Sequence, residues 1–287
     1  MKLIVLAALF AVATSNTIDI NSYEGKKLVV PENQDDFLER VRQTVPKQRN
    51  TITGRISNGN AASNGQFPWV TRLTIVDEPF DTFTCTGNII SNNFIMTVRH
   101  CFDPIITVSV IAEAGDVDRM ANNLVTRFSE FWWFAPVIQP GNFNPDLAVL
   151  RMSAGFTFDG RINAIRLPAR SQENFEWPAQ PMRIVGWGRD ATGSMPRFLQ
   201  YGNFRMQTNC WSQRRQTHLC SVAENIMVET RGGDSGGPWV VVESGVPTLV
   251  AIHEGSTGSQ TLWWFRGLRV TSFLNFINSV TGIPIRA

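Results

Sequence analysis

From Ile56 onward the chain is written in short apolar runs, and that texture limits what it can fold into. Phe67–Val76 (FPWVTRLTIV), Gly87–Val98 (GNIISNNFIMTV), Asp146–Met152 (DLAVLRM), Met182–Gly188 (MRIVGWG), Pro238–Ser244 (PWVVVES) and Pro247–His253 (PTLVAIH) are rich in β-branched residues and punctuated by Gly, Pro, Asn and Asp. Runs of this kind predict an antiparallel all-β sandwich or barrel. Only Ser272–Val280 (SFLNFINSV) carries a helical period in this part of the chain. With 43% hydrophobic and 17% charged residues over 287 positions, a real core can be buried, and global disorder is excluded. A net charge of +2 supplies no basic face, so nucleic acid is not an expected partner.

Upstream of Ile56 the character changes. All four lysines (Lys2, Lys26, Lys27, Lys47) lie in the first 55 residues, and none follows. Lys2 precedes an apolar run, Leu3–Ala13, and small residues through Ser15. This reads as an export signal over residues 1–15, too short to cross a bilayer as a helix, which needs roughly 20 residues. Residues 16–55 form a polar, cysteine-free segment with one candidate short helix at Asp35–Gln43 (DDFLERVRQ). The sharp change at Arg55–Ile56 predicts a processing site between a pro-segment and a mature domain, residues 56–287. The expected product is secreted, with no membrane anchor.

Four cysteines, Cys85, Cys101, Cys210 and Cys220, with no CxxC pair, fit two disulfides in an oxidising compartment better than a metal site. Spacing alone leaves three connectivities open.

Three local patterns carry chemistry. In Gly233-Asp234-Ser235-Gly236-Gly237-Pro238, glycines on both sides of a serine allow a tight turn with amides aimed at one point, which suits a nucleophile and an oxyanion hole. In Thr97-Val98-Arg99-His100-Cys101 a histidine, one of three in the chain, is a candidate general base. In Asp146-Leu147-Ala148-Val149-Leu150-Arg151 an acid stands directly before a strand, where it could orient an imidazole. Taken singly, each has an ordinary structural reading: a glycine turn, a core histidine, an Asp before a strand.

Together, these residues resemble the chymotrypsin/trypsin-type serine proteases over residues 55 to 281, in the family's order His, Asp, Ser. The VGWG at 185–188 and VTSFLNFI at 270–277 resemble its second-barrel strand and C-terminal helix. The resemblance implies two packed antiparallel six-stranded β-barrels, the first about 56–165 and the second about 166–271, with a short C-terminal helix at about 272–281. It also implies His100, Asp146 and Ser235 as the triad, with the amides of Gly233 and Ser235 as the oxyanion hole. Cleavage after Arg55 would free the Ile56 amine to pair with Asp234. Glu229, Gly255 and Gly267 would line the substrate pocket, and the disulfides would be Cys85–Cys101 and Cys210–Cys220. No cofactor or metal is implied. The implied partners are peptide or protein substrates, a trypsin-like activating protease and protein inhibitors, acting on a monomer. The overall likeness is to insect digestive enzymes of the gut lumen.

The chain departs from that pattern in four places. Arg99 replaces the alanine before the catalytic histidine, and strand alternation would turn it away from the base. Arg231 stands where a pocket cysteine is usual, and no cysteine follows Ser235. Glu229, six before the nucleophile, is one methylene longer than the aspartate that selects basic residues. Ile252-His253-Glu254-Gly255 replaces Ser-Trp-Gly on the strand that pairs with substrate. These departures define the alternative, a catalytically silent homologue that binds rather than cuts. The lysine-free domain suits a strongly alkaline setting, because arginine keeps its charge where lysine loses it.

Overall fold

Every strand pair is antiparallel, and closure rather than an open edge organises the chain. The computed structural model describes residues 25–44, 56, 59–78, 80–103, 106–138, 143–177, 180–190, 192–208, 216–225, 228–259 and 262–287. The first part holds β1 (Gly25–Lys27), α1 (Gln34–Thr44), β2 (Asn60–Ala61), β3 (Val70–Asp77), β4 (Thr82–Ile89), β5 (Phe94–Thr97), β6 (Thr107–Ala114), β7 (Val125–Phe134) and β8 (Ala148–Met152). The second holds β9 (Pro181–Gly186), β10 (Gln200–Gln207), β11 (His218–Ala223), β12 (Pro238–Glu243), β13 (Val246–Ser259), β14 (Leu262–Arg269) and α2 (Leu274–Thr281).

β7-β6-β3-β4-β5-β8 closes through β7–β8, and β11-β14-β13-β12-β9-β10 closes through β10–β11. Each barrel carries one extra strand: β1 on β7, and β2 on β10. This is the expected pair of six-stranded barrels. β2 lies in sequence beside the first barrel but pairs into the second, tying the two together. All six apolar runs read from the sequence contain strand. Alternation explains why they hold: in β10 the inward Gly202, Phe204 and Met206 are buried between more exposed neighbours.

One apolar cluster runs through the first barrel (Leu73, Ile89, Ile95, Val149, Leu150) into the seam with the second (Trp187, Leu249, Ile252, Leu268). A second cluster fills the other barrel around Trp177, Phe204, Trp239 and Phe265. Each such side chain contributes about 1.5–3 kcal/mol on burial. The C-terminal helix starts at Leu274, after a 3₁₀ turn over Val270–Phe273, and ends where Gly282 takes a left-handed conformation at φ 72°. The export segment 1–15, Arg55 and Cys210 lie outside the described residues.

Candidate active site

Strand register brings the acid and the base together. In the β5–β8 pair Thr97 faces Ala148, so the chain leaving β5 and the chain entering β8 emerge side by side. His100 lies three residues beyond Thr97 and Asp146 two before Ala148. Asp146 Oδ1 accepts from the His100 backbone N–H at 2.7 Å, and Oδ2 meets His100 Nδ1 at 2.6 Å. One carboxylate thus fixes both the backbone and the ring. The Cys85–Cys101 disulfide ties the same turn to β4, closing a loop worth about 3 kcal/mol in chain entropy. Burial pulls the His100 imidazole down, but hydrogen bond and charge from Asp146, with a smaller contribution from Glu254, leave its pKa above the ordinary value.

Arg99 is directed as expected, for a different reason. Arg99–Cys101 is a 3₁₀ turn rather than strand. Arg99 Nη1 donates to Asn144 Oδ1 at 2.7 Å and the guanidinium lies over the Phe134 ring at 4.5 Å.

The serine turn belongs to the second barrel but is bonded to the first. Gly233 and Gly236 sit at φ 107° and 83°, where a side chain would be strained. Thr86 of β4 donates its N–H to Ser235 O and its hydroxyl to Gly233 O, both at 2.8 Å. Asn88 Nδ2 donates to Gly236 O at 2.7 Å, and Thr97 Oγ1 donates to Thr86 O at 2.8 Å. On the other side Gly236 N donates to His253 O at 2.8 Å and His253 N to Gly237 O at 2.7 Å. The carbonyls of the turn are therefore occupied. The N–H groups of Gly233 and Ser235 have no acceptor among the described residues. Ser235 itself is half-buried.

Asp234 points inward and is wholly buried. Its Oδ1 accepts from Gly188 N at 2.8 Å and its Oδ2 from Arg231 N at 2.9 Å. Burial pushes its pKa up to about 6, against the two amides that pull it down. Ile56 is wholly buried in the second barrel's apolar cluster, its carbonyl accepting from Gly59 N.

The residues expected to line the pocket have the following surroundings. Glu229 is half-buried and its carboxylate is held by Arg231 Nη2 at 2.7 Å, so the residue replacing a pocket cysteine neutralises the residue expected to carry pocket charge. Gly267 is buried opposite Leu219 and His253, with no room for a side chain beside the Trp239 ring; Gly255 is half-buried with open space about it. Cys220 is disulfide-bonded, and Cys210 lies outside the described residues.

Sequence reasoning missed a charged cluster at the end of the altered strand. Glu254 Oε2 meets His218 Nε2 at 3.0 Å and Arg266 Nε at 2.7 Å. The buried His218 ring packs edge-on against Phe143, three residues before Asp146, with centroids 5.5 Å apart. His253 is buried and stacks on Trp239; burial, then the neighbouring His100, lowers its pKa to about 3, so it is neutral at working pH. The replacement of Ser-Trp by His-Glu was the only sequence signal, and its partners come from two other strands.

The chain is similar to several known proteins. A family profile described as Trypsin matches residues 56–276. Trypsin alpha of Drosophila melanogaster is 30% identical over 200 residues, covering 66% of this chain and 74% of that one. A collagenase of Hypoderma lineatum is 27% identical over 236 residues, covering 80% of this chain and 88% of its own. The solved structure of HL collagenase superposes with a TM-score of 0.65 at 23% identity, over 80% of this chain and all of that one, and shares the fold.

Proposed function

The chain belongs to the trypsin family and is a serine endopeptidase, and on that premise we propose that it is a secreted digestive enzyme made as a zymogen and activated by cleavage after Arg55. The observation that carries the catalytic assignment is the His100–Asp146 pair, in which one carboxylate holds both ring and backbone. With Nδ1 committed to Asp146, Nε2 is the nitrogen left to take the proton of Ser235 Oγ as that oxygen attacks the scissile carbonyl. The free amides of Gly233 and Ser235 receive the developing oxyanion, each donor worth roughly 3 kcal/mol in the transition state. His100 then returns the proton to the leaving amine, and water repeats the sequence on the acyl-enzyme.

Activation is a charge-pairing event in this reading. Cleavage frees an ammonium at Ile56, whose side chain is already seated in the barrel that holds Asp234. A cation brought to Asp234 replaces a carboxylate satisfied by neutral amides with an ion pair. The activating enzyme is itself trypsin-like, since Arg55 precedes the cut. Glu229 is engaged by Arg231, so a substrate Arg or Lys must compete for it, and the preference for basic residues is expected to be modest. The enzyme acts as a monomer in a gut lumen, subject to protein inhibitors.

The test is cleavage of a peptide pool randomised at the residue before the scissile bond, by precursor processed at Arg55, with Ser235→Ala beside it. Cutting by the wild type alone is expected, with Arg and Lys favoured less than in a pocket with a free carboxylate. Correctly processed, folded protein that cuts nothing between about pH 7 and pH 11, a window spanning α-amine titration and most of the lysine range, overturns it in favour of a silent binding homologue.

A further inference from the structure

The segment before the cleavage site is folded onto the first barrel. β1 adds to the edge of β7 opposite β8, pairing Gly25 with Trp133, Lys26 with Trp132 and Lys27 with Phe131. Leu28 N continues to Glu130 O at 2.9 Å and Val29 N reaches Val108 O at 3.2 Å. Gly25 lies close against the Phe131 and Trp133 rings, so a Cβ there would make those rings shift.

α1 follows, with Asn33 Oδ1 accepting from Asp36 N at 3.2 Å at its start, acids in its first turn and Arg42 in its last. Its apolar face, Phe37, Leu38 and Val41, packs on Val76, Ile111 and Phe128. Those three come from β3, β6 and β7 and are at most 2% exposed. They lie in a cluster apart from the barrel core, to which α1 contributes Phe37, Leu38 and Val41, alongside Val30, Phe80 and Val108.

The barrel is shaped to receive this helix. Phe80, in the β3–β4 loop, holds φ at 111°, a backbone state that costs a non-glycine residue stability and persists only when its surroundings enforce it. Its ring is packed edge-on against Phe37 at 5.3 Å and lies under the Arg40 guanidinium at 4.6 Å. Both partners belong to the segment that activation would sever. That segment has no cysteine, so only these contacts could hold it afterwards.

We propose that residues 25–44 remain bound to the first barrel after the chain is cut behind Arg55, as a noncovalent second chain covering the apolar outer face of β3, β6 and β7. The mature enzyme is then a two-chain protein whose cover is its own pro-segment. This rests on the activation reading above, and the experiment separates the two.

Full-length precursor is cut in two ways: by a trypsin-like protease at Arg55, verified by intact mass, and by a highly specific protease at a recognition sequence inserted after Asn50. Each product is passed over gel filtration at about 1 µM, where a complex with a Kd of about 1 µM is half-associated, and examined by native mass spectrometry. In the specifically cut protein the N-terminal fragment should travel with the domain and leave only in denaturant. Phe37→Ala, outside the protease domain, should weaken retention by roughly a hundredfold. Complete separation of the wild-type fragment, or equal retention of wild type and Phe37→Ala, overturns the proposal. Retention in the specifically cut arm with no cleavage at Arg55 in the other supports it and faults the activation reading alone.

Discussion

Two aspartates, Asp146 and Asp234, each accept two N–H bonds, yet their sockets are in opposite electrical states. Asp146 is met by an ionisable ring and a backbone amide of the same residue, His100, so its charge supports a neighbouring positive charge. Asp234 is met by the amides of Gly188 and Arg231, wholly buried, and its carboxyl is pushed up to about 6. The first socket is paired with an ionisable ring, whereas among the described residues the second is met by backbone amides alone. Hydrogen-bond count alone would rate them equal. Solvation and the charge of the donor separate them.

Removing the charge from the finished socket should have the largest effect. In Asp146→Asn the ring nitrogen loses the acceptor that fixes its tautomer, and in triads of this kind kcat falls about 10⁴-fold. The acid limb of kcat/KM should also move to lower pH, because Asp146 is what raises His100 above its ordinary value. A variant with unchanged kcat in active-site-titrated protein would sink the assignment.

The unfinished socket should respond in the opposite sense in the precursor. A carboxyl raised in the folded state contributes stability that is full below its unfolded value and lost as pH rises through about 6. At neutral pH the burden is about 3 kcal/mol. Asp234→Asn should therefore gain on wild-type precursor by up to about that amount between about pH 4 and pH 7, in denaturant unfolding. After cleavage the same change should leave the Ile56 ammonium without its partner, a loss of about 3–5 kcal/mol. A wild-type-minus-variant difference that stays flat with pH would remove the contrast between the sockets.

The smallest effect is expected from Glu254→Gln, which deletes a carboxylate that supports His100 from the second barrel. The acid limb should move in the same direction as for Asp146→Asn but less far, with kcat little changed. The pH profile of kcat/KM decides it, and a shift toward higher pH would contradict the assignment.

The parts legible in sequence are those whose geometry is made by near neighbours. Glycines flanking Ser235, a histidine just past one apolar run and an aspartate just before another were each readable, because turn and strand chemistry act over a few residues. The helix at Asp35–Gln43 was readable from its own pattern and appears at Gln34–Thr44. Gly-Lys-Lys of β1 has nothing of a strand in it. It is extended because the free edge of β7 supplies the hydrogen bonds.

The chain's own order thus determined the strand-rich character of the domain, the disulfide spacing, and the local turns and strands that carry His100, Asp146 and Ser235. Only the tertiary structure decided that Glu229 is spent on Arg231, that Glu254 gathers His218 and Arg266, and that residues 25–44 cover part of the first barrel. Those outcomes depend on charges and apolar faces far apart in sequence, whose meeting is set by barrel closure and strand register rather than by any local preference.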